Sequence, residues 1–556
     1  MSDNTITGRS AFLALLKDEG VTHLFGNPGT TELPVMHALS EHPDLTYVMA
    51  MQESLVVAMA DGFSRGSGQL TAANVHVAPG LGNAMGALYN AKFTGTPMIL
   101  TAGQQEQGHG LTEPLLYDEL VPMARSLVKW AVEVTRLEDL PRIVRRAAKI
   151  AMSPPTGPVF ISLPGDILNA QGGIDLSAPT RVETRARPSD AVLEALADRL
   201  LAAKNPVILV GDEVVRSDAL DVAADFSEAF GAPVYQSSIP YGAQFLSERP
   251  AFMGALTRIQ SEVRETLEPY DLMVVVGSDV LTMSVDSEVD PKPPGMSLVQ
   301  IGLNDWEMGK NYATDLAVRA DVRETLAALI PVLKARGGTA LDAAAGERMA
   351  ALADRNWSAT RARRIAAIET KSQARPMDGD WLTLKMIEAL PENAILVQEG
   401  LTTVRNTVFE LYPYRDRYGF HGLASGGIGW SLPAAVGIQL ANPERPVTTI
   451  VGDGSAMYSV QSLWTAAHHR LPMTYIICNN GGYRIIKQRL KSFHGDENYI
   501  GMDFEDPALD WVGLAKSLGV NAIRVEDPAE IGDVLKSACT GKNGPTLIDA
   551  VVEHSV

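Results

Sequence analysis

Short apolar runs, each closed by a glycine-bearing turn and followed by an amphipathic stretch, recur along the whole chain. An unbroken apolar run suits a strand buried on both faces, and apolar residues three and four apart suit a helix laid over it. Their alternation predicts parallel sheets covered by helices. Residues 21–39 (VTHLFGNPGTTELPVMHAL), 71–91 (TAANVHVAPGLGNAMGALYNA), 97–103 (PMILTAG) and 157–168 (GPVFISLPGDIL) carry the pattern in the first third. A polar, proline-bearing stretch, SAPTRVETRARPSDA, then interrupts it and reads as a linker.

The pattern restarts with NPVILVGDEVV, GAPVYQS, YDLMVVVGSDV and SLVQIGLND, and a charged, strandless helical segment follows over about 341–371. AILVQEG, PVTTIVGDGS, MTYIICNN and PTLIDAVV complete the last third. The expected fold is α/β, three consecutive doubly wound parallel-sheet domains over residues 1–175, 190–340 and 376–556. Composition agrees with several buried cores, at 46% hydrophobic and 20% charged residues. The net charge of −19 argues against nucleic acid or an anionic membrane as partner. Two cysteines, Cys478 and Cys539, form no metal-ligand cluster and suit a reducing compartment. No signal peptide and no membrane span is read, so a cytoplasmic location is expected.

The stretch VGDGSAMYSVQSLWTAAHHRLPMTYIICNN places an acid at the end of one predicted strand and an amide at the end of the next. Parallel strands end on the same sheet edge, where open α/β sheets bind ligands. Asp453 and Asn480 therefore converge, and a carboxylate, an amide oxygen and a nearby carbonyl suit Mg²⁺ or Ca²⁺. The amides of Gly454 and Ser455 at the helix start suit a phosphate. Taken alone, Gly-Asp-Gly reads equally well as an Asp-capped turn.

Gly-Asp-Gly-Ser followed at this interval by Asn-Asn resembles the motif of thiamine-diphosphate enzymes of the pyruvate decarboxylase and acetolactate synthase type. The resemblance implies metal ligation by Asp453, Asn480 and the carbonyl of Gly482. It implies that Glu53, in QE followed by AMADGFSR, bonds the cofactor's aminopyrimidine. An acid between an apolar strand and an apolar helix needs such a partner, although a helix N-terminus alone also favours it. In GFHGLASGGIGW the resemblance assigns the Gly426 carbonyl to the 4′-amino group and Ile428 to the wedge that bends the cofactor. Thr402, Thr403 and Tyr458 become candidates for the diphosphate.

Within these enzymes the chain is most similar to the benzoylformate decarboxylase group, through FGNPGTTELP, VHVAPGLGNAMGAL, MILTAGQQ, LVKWAVEV and GPVFISLPGD. That likeness implies a substrate carboxylate at Thr30 beside Pro28, and proton transfer by His76. Where the group has a second histidine, this chain has Ser284, with His109 and His421 as possible substitutes. A serine is no acid or base near neutral pH without help. The pocket segment GGYRIIKQRL departs as well, presenting Ile485, Ile486, Lys487 and Arg489, with Ile485 and Arg489 on one helix face. The expected activity is decarboxylation of a benzoylformate-like 2-oxo acid to an aldehyde and CO₂, with carboligation on the side. An acetolactate-synthase-like carboligase, a 2-hydroxyacyl-CoA lyase and a non-catalytic cofactor-binding relative are the alternatives. A nucleotide or vestigial flavin in the middle domain stays open. A nicotinamide enzyme is disfavoured, since Gly80, Gly82 and Gly86 have the wrong final spacing. With Glu53 and Asp453 in different domains, the resemblance implies a homodimer as the minimal active unit and a homotetramer as the assembly.

Overall fold

The computed structural model describes residues 5–176, 178–283, 287–541 and 544–556. Within them lie three six-stranded sheets in which every pair of neighbours is parallel. The first runs Thr46–Met49, His23–Gly26, Thr71–Val75, Met98–Gln104, Val159–Pro164, Ala131–Glu133 across the sheet. The third runs Phe420–Gly422, Ile395–Glu399, Val447–Gly452, Thr474–Asn479, Thr546–Val551, Asn521–Val525. Numbered along the chain, both have the order 2-1-3-4-6-5, so the first and last domains are topological twins. The middle sheet, Phe252–Ala255, Val234–Gln236, Pro206–Val210, Leu272–Val276, Ser297–Gly302, Leu316–Arg319, has the order 3-2-1-4-5-6. The expected α/β fold of three doubly wound sheets is therefore present.

Central strands such as Pro206–Val210 and Leu272–Val276 are buried at every position, which is why they read as unbroken apolar runs. Two features were not expected. Thr5–Thr7 pairs antiparallel with Gln171–Gly173, a short polar ribbon with no hydrophobic signal. The single helix expected after Asp453 is split into Asp453–Ala456 and Ser462–His468. There the Ser462 hydroxyl donates to the Ser459 carbonyl, the local side-chain bonding that competes with helix.

In each twin sheet the connections diverge between the first and third strands, and this crevice is where such sheets bind ligands. It lies between His23–Gly26 and Thr71–Val75 in one domain, and between Ile395–Glu399 and Val447–Gly452 in the other. The two domains are held together by helix Glu53–Ser67 packed on helix Ser431–Ala441. A Cβ on Gly62 would lie 2.1 Å from the Ala434 carbonyl oxygen, and one on Gly437 only 1.9 Å from that of Met59. The backbones thus touch, and Val56, Met59 and Phe63 close over Leu432, Val436 and Ile438.

Polar groups complete the junction. Trp430 donates its indole N–H to Asp61 at 2.6 Å, and Asn442 donates to the Gly66 carbonyl at 2.9 Å. Arg65 stacks over Trp430 at 4.4 Å and donates to the carbonyls of Gly422 in the last domain and Tyr241 in the middle one. No helix among the described residues is long and apolar enough to cross a membrane.

Gly437→Val should cost at least about 3 kcal/mol, the upper range for overpacking, because backbone and not a flexible side chain must move. Gly346→Ala, in a helix with open space around the glycine, should be neutral or stabilising by up to about 1 kcal/mol. Thermal unfolding of the two variants checks the contrast.

Candidate active site

Strands Val447–Gly452 and Thr474–Asn479 pair with Gly452 opposite Cys478, which brings Asp453 and Asn480 to one sheet edge. Asp453 is 2% exposed, accepting from the Gly454 amide at 2.8 Å and the Gly481 amide at 2.7 Å. Burial pushes its carboxyl up to about 6, against the pull of these amides. Asn480 donates to the Thr403 hydroxyl at 3.2 Å, and its side-chain oxygen accepts from the Gly482 amide at 3.2 Å. Among the described residues no cluster of three or more His, Cys, Asp or Glu could hold a metal. A cation here would rely on one carboxylate with amide and carbonyl oxygens, a hard-oxygen set that fits Mg²⁺ or Ca²⁺.

Gly454 and Ser455 are buried beside Asp453, and Tyr458 is exposed. Thr402 is half-buried and Thr403 buried, after strand Ile395–Glu399. Sequence reasoning missed Glu399. It is 1% exposed and accepts from the amides of Gly429 (2.6 Å) and Ser431 (2.7 Å), tying the loop that carries Gly426 and Ile428 to the strand end. Burial raises its pKa and those amides oppose the rise.

In the first domain Glu53 opens helix Glu53–Ser67 and is 7% exposed. It accepts from the Asn27 amide at 3.2 Å and the Asn83 amide at 3.0 Å. Gly80 lies close, where a Cβ would come within 3.2 Å of the carboxylate. Among the described residues no hydrogen bond or ion pair joins Glu53 to the Asp453 cluster.

His76 ends strand Thr71–Val75 and begins helix Val77–Thr94. Its Nδ1 lies 2.7 Å from Glu32 and 3.1 Å from the Thr31 hydroxyl. Glu32, fully buried, also accepts from the amides of Gly29 (3.0 Å) and Gly103 (2.9 Å) and from the Thr31 hydroxyl (2.8 Å). This carboxylate has donors on both oxygens, so the imidazole gives it the Nδ1 proton and leaves Nε2 for other chemistry. Gly29 lets the loop lie on the ring, since a Cβ there would sit 2.2 Å from Nδ1. Glu32 and Thr31 were missed because an acid in a first turn reads simply as favoured by the helix dipole. Pro28 and Thr30 are exposed on the same loop.

The positive φ of two buried or half-buried side chains marks both crevices: Val77 at 40° after His76, and Leu401 at 38° after Glu399–Gly400. Such strain persists where surroundings over-determine the backbone, typically at functional sites. Ile485 is half-buried, Ile486 and Arg489 are exposed, and Lys487 is buried against Asp503. Ser284 lies outside the described residues. His109 is exposed and bonds locally to Thr112. His421 is buried in a cavity of about 740 Å³ with Arg65 and Tyr241, away from His76, and burial drives its pKa well down. A cleft of about 510 Å³ lies at the middle domain's strand ends. The amides of Leu303 and Asn304 in that domain are taken by Glu213 (2.7 and 3.1 Å), where a phosphate would need them.

Comparison with known proteins accounts for this architecture. Residues 6–115, 193–329 and 402–550 match the N-terminal TPP-binding, central and C-terminal TPP-binding domains of the thiamine pyrophosphate enzymes. The chain belongs to this family. It is 33% identical to benzoylformate decarboxylase of Pseudomonas aeruginosa over 98% of both chains. It is 24% identical to the acetolactate synthase large subunit of Haemophilus influenzae, over 99% of this chain and 95% of that one. The solved thiamine diphosphate-dependent 4-hydroxybenzoylformate decarboxylase of Rhodococcus jostii RHA1 superposes with a TM-score of 0.87 at 30% identity, covering 99% of this chain and 100% of that one.

The Glu32 bond sets the tautomer of His76. ¹⁵N spectra of histidine-labelled protein should show the Nδ1–H form, and Glu32→Gln should shift His76 toward the other tautomer. An unchanged tautomer in the variant would contradict this role.

Proposed function

We propose that the protein is a thiamine-diphosphate- and Mg²⁺-dependent decarboxylase that converts a 2-oxo acid into an aldehyde and CO₂. One observation carries the reading. Two topologically equivalent domains each place their acids at the same switch-point crevice: Asp453 beside Asn480 in one, Glu53 with the Glu32-held His76 in the other. The full-length likeness to benzoylformate decarboxylase supports the reaction type.

Thiamine diphosphate, when bound, supplies the nucleophilic carbon and the electron sink for loss of CO₂. Asp453, Asn480 and the Gly482 carbonyl would hold the cation, with Gly454, Ser455, Thr402, Thr403 and Tyr458 about the diphosphate. Gly426 and Ile428 would position the pyrimidine, with Glu53 holding a proton at its ring nitrogen. Asn27 and Asn83 keep Glu53 oriented, since each donates to it. Thr30, next to Pro28, would receive the substrate carboxylate, and Ser284 is a second candidate for it. His76 Nε2 would move the proton that the product aldehyde requires, because its Nδ1 is committed to Glu32.

Among the described residues Glu53 bonds only within its own domain, which favours a site shared between two chains, in a dimer or in a tetramer built of two such dimers. Carboligation is the second reading, favoured by full-length likeness to acetolactate synthase. CO₂ release from benzoylformate, pyruvate and branched 2-oxo acids, with and without an aldehyde acceptor, separates the two.

Glu53→Gln should lower turnover by about 100-fold or more, the scale of a lost proton-transfer group, with an unchanged fold. Asp453→Ala should weaken thiamine diphosphate and Mg²⁺ binding together in calorimetry. Co-expressed as mixed dimers, these two inactive variants should regain activity, because one of the two shared sites escapes both substitutions. A site built within one chain predicts no recovery.

A further inference from the structure

Cations on helix Arg484–His494 are paired one by one. Arg484 meets Glu553 at 2.9 Å, Lys487 meets Asp503, and Lys491 meets Glu497 at 2.6 Å. Arg489 breaks the series: its guanidinium lies 5.6 Å over the Phe493 ring and meets no carboxylate among the described residues. Arg405 opens helix Arg405–Leu411 and is only 9% exposed. It too has no acceptor among the described residues, only the Phe409 ring at 5.6 Å.

These side chains belong to one place. Helix Arg405–Leu411 packs on strand Phe252–Ala255, and Arg258 follows that strand by three residues. Arg258 acts electrostatically on Arg405 and feels Arg489 in turn. Burial first, and then Arg258, lower the Arg405 guanidinium to about 10, which leaves it charged at neutral pH. A guanidinium largely withdrawn from water, with no carboxylate against it among the described residues, is unfavourable until an anion arrives. The place is next to the proposed metal site. Arg405 is two residues beyond Thr403, which accepts from Asn480, and the helix of Arg489 begins two residues beyond Gly482.

We propose that the substrate is a 2-oxo acid carrying a second anionic group, a carboxylate or a phosphonate, which Arg405 and Arg489 receive. The inference rests on the decarboxylase reading and narrows its substrate class. Planar guanidinium groups match carboxylate and phosphonate oxygens, so the second anion orients the chain while the carboxylate on the keto carbon leaves as CO₂. A benzoylformate-like substrate, with one charge, would leave Arg405 uncompensated.

The test uses the full-length holoenzyme with thiamine diphosphate and Mg²⁺, and chain-matched pairs: 2-oxoglutarate against 2-oxopentanoate, and phosphonopyruvate against 2-oxobutanoate. CO₂ release should favour a dianion in kcat/KM. Read as the ratio of kcat/KM for dianion over monoanion, that preference should fall by about 100-fold in Arg405→Met and by about 10-fold in Arg489→Met, the range for lost buried and rim charges. Arg405→Lys should restore part of it. Binding of the same acids to Glu53→Gln holoenzyme, by calorimetry, gives a readout without turnover. Dianion binding that needs Arg405, with no CO₂ from any acid, would keep the anion site and sink the decarboxylase reading. Equal kcat/KM for both members of each pair, unchanged by either substitution, would overturn the anion site and leave the decarboxylase reading intact. Loss of thiamine diphosphate affinity in Arg405→Met, with the pair preference untouched, would assign the cluster to the cofactor and also overturn it. If Arg405→Met fails to fold, Arg489→Met, at an exposed position, decides by the same criteria.

Discussion

The close crossing of helices Glu53–Ser67 and Ser431–Ala441 is the constraint on which the rest of the molecule depends. At Gly62 and Gly437 the two backbones meet with no room for a Cβ. That contact sets the spacing of the first and last domains, and packed interiors transmit such a constraint because they have little free volume. Arg65 seals the same junction from the far end of its helix, with its donors on carbonyls of the other two domains and its face on Trp430. A guanidinium buried there is tolerated because Asp61 and Asp212 oppose the cost of desolvation.

A shared electrostatic device appears in both twin domains. Each sheet ends at its switch point with a buried carboxylate that accepts backbone amides, Glu32 in one and Glu399 in the other. Glu32 anchors the Asn-Pro-Gly loop and orients His76; Glu399 anchors the loop that carries Gly426 and Ile428. Strained backbone at Val77 and Leu401 follows the strand in each case. Fixed dipoles of this kind need no reorganisation during reaction, which is how a preorganised site gains over water. The acids Glu53 and Asp453 then stand beside scaffolds that these bonds hold in place. The middle domain differs in sheet order and uses its own Glu213 to occupy amides at its strand ends.

What the sequence by itself determined follows from local physics. Strands buried on both faces must be apolar throughout, so three α/β domains, their order and the strand ends at Asp453 and Asn480 were legible from hydrophobic period and turn residues. Motif spacing identified the thiamine pyrophosphate enzymes because a shared cofactor imposes fixed residue types at fixed intervals. What only the tertiary structure decided are contacts between segments far apart in sequence. Glu32 looks like an ordinary first-turn acid until His76 and Gly103 arrive from other strands. The polar ribbon of Thr5–Thr7 with Gln171–Gly173 has no periodicity to betray it. Arg405 and Arg489 look like ordinary helix cations, and nothing local distinguishes them from the paired Arg484 and Lys491. That neither meets a carboxylate among the described residues is a property of three-dimensional packing, because pairing depends on which side chains the fold brings within reach.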